Sequence, residues 1–477
     1  MAVPCTTLTE LSGRAAAPQA SQAPDIEPPS PLDRFLHAMQ AHATQGISPA
    51  SLALAHADWL LKLLQSPAKW QRLLQKAWTK ELRWLDYARR STLGQAAPPC
   101  IEPLAQDRRF RDPAWQRWPY NLVQQAFLLN QQWWHNATTG IDGVSRHHQD
   151  VVAFSARQLL DLASPLNVVA TNPEVSDAAV REAGANVVRG AVNLADDVWR
   201  SLTGAPPEGA EAFRNHLIEL IQYAPAAGCA SVHAEPMLIV PAWIMKYYIL
   251  DLSPGNSLVR YLVGQGHTVF MISWRNPDAD DRELGMDDYL RDGVMAALGH
   301  IRGVAPGQRV NTAGYCLGGT LLSIAVASLG CEGEALINSM TLLAAQADFS
   351  EAGELMLFID DSQVAFLEDL MWQQGYLDNR QMAGAFRLLR SNDLVWSVSV
   401  HQYLPGHRGR HYYTARRRRG DCYIDPERWV EHASEHEGSW WPAWTQWLDT
   451  VSTQPRVPPR TVEAGLGPAP GSYVLQR

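Results

Sequence analysis

Cys316 lies between Gly314 and Gly318 in the stretch "TAGYCLGGT" (Thr312–Thr320), at the spacing G-x-C-x-G. Between a strand and a helix, this spacing makes a strained turn that presents its central side chain. A side chain at either flanking position would strike the neighbouring strand or helix, so glycine is needed there. The thiol would then sit at a helix N-terminus, where the dipole and free N–H groups favour a thiolate. The Leu317 N–H is placed to donate to an oxyanion, with a second donor expected from the loop after Val240, around Trp243. The plain alternative is a buried structural cysteine. A strand before it, an apolar helix after it and the extra Gly319 favour the catalytic reading.

Sulfur at this position changes the chemistry. A serine acyl-enzyme is an oxoester that mainly awaits water, whereas a cysteine acyl-enzyme is still a thioester. Its acyl group keeps enough free energy to pass to an alcohol, which favours transfer from an acyl-CoA over hydrolysis.

The elements that must position Cys316 are legible around it. Short apolar runs at Pro236–Pro241 and His267–Trp274, the segment "RVNTA" before the elbow and Met340–Leu343 read as strands. Helix-period segments lie between them, and this alternation argues for a doubly wound, mostly parallel α/β sheet over residues 231–349. Residues 31–230 read as mainly helical, after a disordered lead-in over 1–30 with no basic n-region or apolar h-region. A helical cap is expected over 350–405, an arginine-rich joint over 406–425, and a residual C-terminal helix with a loose tail over 426–477.

Composition excludes several classes. A net charge of −9 gives no global field for nucleic acid. No apolar run is long enough for a transmembrane segment. Six scattered cysteines without a C-x-x-C pair fit a reducing cytoplasm, and no metal-ligand spacing is present. No cofactor is expected.

Four stretches together resemble the polyhydroxyalkanoate (poly-beta-hydroxybutyrate) synthases, of class I/II type. "DRRFRDPAWQRWPYNLVQQAFLL" (Asp107–Leu129) is similar to the N-terminal signature of that family, and the stretch beginning "GVSRHHQDVVAF" continues it. "PMLIVPAWIMKYYILDLSPGNSLVRYLVGQGHTVFMISWRNPD" resembles the core strands, and "GYCLGGTLL" the family's lipase-box variant with cysteine as nucleophile. The resemblance runs from about residue 45 to Leu404. It implies an α/β-hydrolase-type fold and an acyltransferase that polymerises (R)-3-hydroxyacyl-CoA with release of CoA. Cys316 would carry the growing chain, and a histidine oriented by an aspartate would deprotonate the next hydroxyl. It also implies a homodimer or a synthase partner, and a cytoplasmic location on polyester granules.

Past Leu404 the resemblance breaks off, and resumes only in "DPERWVEHASEHEGSWWPAWTQWL", which resembles the family's extreme C-terminal end. The family's aspartate segment, E-D-H-I-x-P-W, and its histidine segment, G-H-I-x-G, have no counterpart here. Only about twenty residues join Gly406 to Pro426, where two strand–helix units need on the order of sixty. Asp348, after the strand that follows the elbow helix, is the candidate substitute acid. His407 and His411 read as solvated, His436 as part of a packing motif, and His267 and His300 as structural. Arg416–Arg419 read as a solvated loop. The alternatives are therefore an acyltransferase impaired by the missing loops and a non-catalytic granule-surface or synthase-partner protein. A Cys316 thioesterase or depolymerase is a weaker third reading.

Overall fold

The computed structural model describes residues 29–181, 209–381 and 411–476, apart from 96, 105–106, 108, 253–255, 351, 379–380, 419 and 461–465. Its centre is a six-stranded sheet in the order β1-β2-β4-β3-β5-β6. The strands are β1 (Gly209–Arg214), β2 (Ile218–Tyr223), β3 (Met237–Val240), β4 (Val269–Trp274), β5 (Val310–Tyr315) and β6 (Ile337–Leu343). β2 runs antiparallel to β1 and β4, and β4, β3, β5 and β6 are mutually parallel. This is the doubly wound, mostly parallel arrangement expected from the alternating pattern, and among the described residues it stops at the sixth strand.

The central strands β3 and β4 read as nearly continuous apolar runs because both faces are covered. On one face Leu238, Val240, Phe270 and Ile272 pack with Leu298 and Leu321 in a buried cluster. On the other, Met237, Ile239 and Met271 meet Val259, Leu262 and Trp441. Helices Ala296–Val304 and Leu317–Glu332 lie on the first side, and Leu258–Gly264 and Trp441–Val451 on the second.

Among the described residues six α-helices precede the sheet: α1 (Pro31–Thr44), α2 (Pro49–Leu64), α3 (Pro67–Thr92), α4 (Tyr120–Thr138), α5 (Arg146–Leu162) and α6 (Pro173–Arg181). Proline opens α1, α2 and α3, where its missing N–H costs nothing. The longer helices described after the sheet begins are α7 (Leu258–Gly264), α8 (Ala296–Val304), α9 (Leu317–Glu332) and α10 (Asp361–Gln374), with α11 (Pro426–His432) and α12 (Trp441–Val451) in the last segment.

Four expectations are corrected. The helical domain does not extend to residue 230, because β1 and β2 occupy 209–223 and open the sheet. Asn215 makes their turn, its Oδ1 accepting from the Leu217 and Ile218 N–H groups, both at 2.9 Å. In the expected cap, α10 packs against α1 rather than over the strand ends. Ala38 and Ala41 meet Phe366 and Leu370, and Asp369 pairs with Arg34 at 3.3 Å and His37 at 2.7 Å. The cap's remainder, residues 382–405, lies outside the described residues. The joint contains a strand, β7 (His411–Thr414), paired antiparallel with β8 (Ser434–Glu437) as an exposed hairpin.

The fourth correction concerns the tail after Thr453, which is docked rather than loose. Its anchor is the fully buried Glu219 carboxylate, which accepts from Ser472 N (2.8 Å), Ser472 Oγ (2.9 Å) and Tyr473 N (2.8 Å) and pairs with Arg214 at 2.8 Å. A buried carboxylate needs such partners, and the tail supplies three of them. No disulfide joins the five described cysteines. Among the described residues no helix is long and apolar enough to cross a membrane.

Candidate active site

Cys316 is the hinge residue between β5 and α9, with φ +53° and ψ −128°. A non-glycine residue in that region is strained and persists only where its surroundings hold it. Here the Cys316 N–H donates to Leu343 O at 2.9 Å, and its carbonyl accepts from Gly319 N at 2.9 Å. Thr320 Oγ donates to Gln346 O at 2.7 Å, which ties the first turn of α9 to the loop after β6.

The flanking glycines are sterically required. A Cβ on Gly314 would stand 2.4 Å from the Gly319 Cα, and one on Gly319 would stand 2.4 Å from Ala345 Cβ. On Gly318 it would come within 2.2 Å of Val240 O and 2.5 Å of the Pro241 carbonyl carbon. That last contact also brings the loop after β3, with Trp243, against the elbow. Aromatic contacts brace this loop. Trp274 Nε1 donates to Pro241 O at 2.8 Å, and the Trp243 ring lies 5.6 Å from that of Tyr289.

The thiol is half-buried, and burial pushes it above its ordinary range, with the Leu317 N–H acting in the opposite direction. Cys316 therefore rests protonated at neutral pH, and needs a base to attack quickly. Among the described residues no histidine or carboxylate is hydrogen-bonded to it. Asp348, the candidate acid, faces solvent and caps a turn. Its Oδ1 accepts from Ser350 N at 2.9 Å, and that bond lowers its carboxyl below the usual range.

The histidines lie elsewhere. His267 precedes β4 and His233 precedes β3, while Cys316 follows β5, so the length of a six-residue strand, roughly 20 Å, separates them. Their rings stack at 4.4 Å. Burial lowers both, His267 to about 3. Burial also lowers His300, whose ring lies 5.5 Å from that of Phe213. His411 and His436 sit in the exposed β7–β8 hairpin, the latter stacked on Tyr412, and His407 lies outside the described residues. Arg416–Arg418 are exposed, as expected for a solvated loop.

Two features escaped sequence reasoning. One is a histidine–aspartate pair, His216 Nε2 and Asp281 Oδ1 at 2.6 Å, at the same end of the sheet as Cys316. Its strand, β2, is three strand spacings from β5, about 14 Å, so it cannot take the Cys316 proton directly. The other is Lys246, on the loop after β3, whose Nζ donates to Gln476 O at 2.9 Å and Tyr473 O at 3.2 Å, so the tail holds the loop beside the elbow. Nothing in its local pattern signals either contact, because each partner lies far away in the chain. The metal-type grouping among the described residues, His233, His267 and Asp449 within 4.8 Å, is remote from Cys316. Arg456 already approaches His233 Nε2 at 3.0 Å.

Two sequence profiles match the chain. One, described as "Poly-beta-hydroxybutyrate polymerase (PhaC) N-terminus", covers residues 106–262, and the other, "Poly-beta-hydroxybutyrate polymerase N terminal", covers 27–69. A poly(3-hydroxyalkanoate) polymerase of Methylorubrum extorquens is 32% identical, over 87% of this chain and 87% of its own length. The polymerase subunit PhaC of Rhizobium meliloti is 35% identical over 66% of this chain and 55% of its own length. That of Cupriavidus necator is 36% identical over 63% and 54%. The first alignment runs over 538 positions, more than the 477 residues here, so that relative has segments this chain lacks. Among solved structures, esterase B of Lactobacillus rhamnosis is 17% identical with a TM-score of 0.27, covering 46% of this chain and 82% of its own, a likeness too loose to argue from.

Proposed function

The chain belongs to the poly(3-hydroxyalkanoate) polymerase family of acyltransferases, and from that premise we propose that Cys316 takes up a hydroxyacyl group from (R)-3-hydroxyacyl-CoA. The sulfur attacks the thioester carbonyl, a new thioester forms on Cys316, and CoA leaves as a thiol carrying the proton the cysteine gives up. The Leu317 N–H, with a second donor from the Trp243 loop, stabilises the oxyanion between the two states. The observation that carries this reading is the strained elbow, which holds a thiol at a helix N-terminus beside that loop.

Elongation asks for more. The hydroxyl of the next unit must lose its proton as it attacks the Cys316 thioester, and among the described residues no base stands within reach. Loss of a base–orienter pair typically removes several orders of magnitude in rate. The expected behaviour is therefore one acylation per chain followed by very slow polymer growth. Incubation with radiolabelled 3-hydroxybutyryl-CoA tests this. One equivalent of CoA should be released, with label on Cys316 that is absent from Cys316→Ala. CoA release equal in the two proteins would remove the acyltransferase reading.

A second reading is supported by the N-terminal helices, which leave Leu54, Leu61, Leu74 and Trp78 more than half exposed. On this reading the chain resides at a polyester granule surface, or accompanies an intact polymerase, without catalysing. Failure to co-sediment with granules or with such a polymerase would rule it out.

A further inference from the structure

His233 stands ahead of β3 and His267 ahead of β4, at the far end of the sheet from Cys316. Both are buried, at 2% exposure each, and their rings stack at 4.4 Å. A neutral imidazole has one N–H to give and one lone pair to fill. Among the described residues, His233 Nδ1 and both ring nitrogens of His267 have no hydrogen-bond partner. Three unanswered nitrogens in one buried pair call for a ligand. A third donor faces them. Asp449 of α12 places Oδ1 3.2 Å from His233 Nε2, and one ligating atom from each of the three residues lies within 4.8 Å of the other two.

Zinc binds imidazole nitrogen and carboxylate oxygen at about 2.0–2.2 Å in a tetrahedron, which puts its ligand atoms roughly 3.4 Å apart. The His233–Asp449 separation already fits. The widest of the three exceeds it by at most about 1.4 Å. A turn of the His267 ring, which no hydrogen bond holds, and of the Asp449 side chain, 57% exposed, closes that gap. Imidazole ligates in its neutral form, and burial keeps both rings neutral. Charge agrees. The charged groups acting on His233 are Arg456, Asp449 and Glu235, which sum to −1 and so favour a cation. Arg456 is the competitor. Its Nη2 donates to His233 Nε2 at 3.0 Å, which marks that nitrogen as the one with the free lone pair.

We propose that His233, His267 and Asp449 form a site for a divalent transition-metal ion, zinc by its donor set, in which the ion displaces the Arg456 guanidinium from His233 Nε2. Solvent reaches the fourth position from the exposed side of Asp449. Two imidazoles and a carboxylate suit zinc and its neighbours rather than magnesium or calcium, which prefer oxygen alone. The ligands come from three segments, so the ion pins α12 to the N-terminal ends of the central strands. It would reinforce contacts the last segment already makes there, where Thr453 Oγ donates to Glu235 at 2.7 Å and Val457 bridges Val232. The site is structural, since the length of a strand separates it from Cys316. No sequence spacing announces it, because its ligands are spread from residue 233 to residue 449.

The test takes the full chain stripped with a chelator and titrates it with Co²⁺, whose visible absorption reports four-coordinate binding, then with Zn²⁺ in competition. One equivalent of Co²⁺ should bring up the band, and Zn²⁺ should abolish it and raise the melting temperature. Asp449→Asn, at an exposed position, should weaken Co²⁺ binding at least about tenfold, and His267→Phe should remove it. Arg456→Ala should tighten binding about fivefold, because the positive charge the ion must displace is gone. His436→Asn, in the exposed β7–β8 hairpin, should leave it unchanged. Three results would overturn the proposal. They are no band and no shift in melting at one equivalent, binding that survives both His267→Phe and Asp449→Asn, or weaker binding by Arg456→Ala.

Discussion

Gly318→Ala separates the two parts of the elbow that acylation requires, a thiol and a correctly placed oxyanion loop. The new Cβ would lie 2.2 Å from Val240 O and 2.5 Å from both the carbon and oxygen of the Pro241 carbonyl. These are backbone atoms at the end of a fully buried strand, so no rotamer change relieves the contact. The loop after β3 must retreat by roughly 1 Å to restore ordinary van der Waals separation. Overpacking of this kind costs about 1–3 kcal/mol of stability. A misplacement of about 1 Å in a catalytic group costs about 100-fold in rate. The assay compares two reactions of Cys316 in wild type and variant: single-turnover acylation by labelled 3-hydroxybutyryl-CoA, and alkylation by iodoacetamide, which needs no oxyanion donor. Acylation should fall about 100-fold while alkylation stays within a few-fold. If the folded variant acylates at the wild-type rate, the loop after β3 is not part of the machinery. If both reactions fall together, the substitution has buried the thiol and says nothing special about the loop.

Because burial raises the Cys316 thiol, its alkylation rate should keep climbing above about pH 8.5, where an ordinary cysteine levels off. The same shift means that the folded state loses stability as the pH rises past the unfolded thiol's value. His267, held neutral down to about pH 3 by burial, should destabilise the protein in acid. Between about pH 6.5 and 3 the unfolded chain takes up a proton that the folded chain refuses, costing up to about 1.4 kcal/mol per pH unit. His267→Phe should flatten that decline in urea titrations, and an unchanged slope would contradict the neutral ring. Ser472→Ala removes one charge-assisted bond to Glu219 and should lower unfolding free energy by about 1.5–3 kcal/mol, read from the urea midpoint.

The elements around Cys316 were readable because their causes are local. Unbroken apolar runs marked β3 and β4 as strands covered on both faces, and helix-period segments between them implied a parallel sheet. G-x-C-x-G announced a turn that only glycines fit, since the clashes at Gly314 and Gly318 involve backbone that any such strand–helix turn brings close. Local pattern failed where partners were distant. "GAEAFRNHLIELIQY" has weak alternation within a helical context, and becomes β1 and β2 only because β4 offers an edge to pair with. The proline- and glycine-rich tail has no period at all, yet it is held by the buried Glu219, 253 residues away along the chain from Ser472, and by the Lys246 ammonium, 230 residues from Gln476. Residue types and short spacings thus determined the nucleophile, the turn and the class of sheet, because each depends on neighbours within a few positions. Tertiary structure alone decided where the sheet begins, that His216 meets Asp281 and what the tail grips. Those outcomes depend on which buried polar groups and free strand edges come together once the chain is compact.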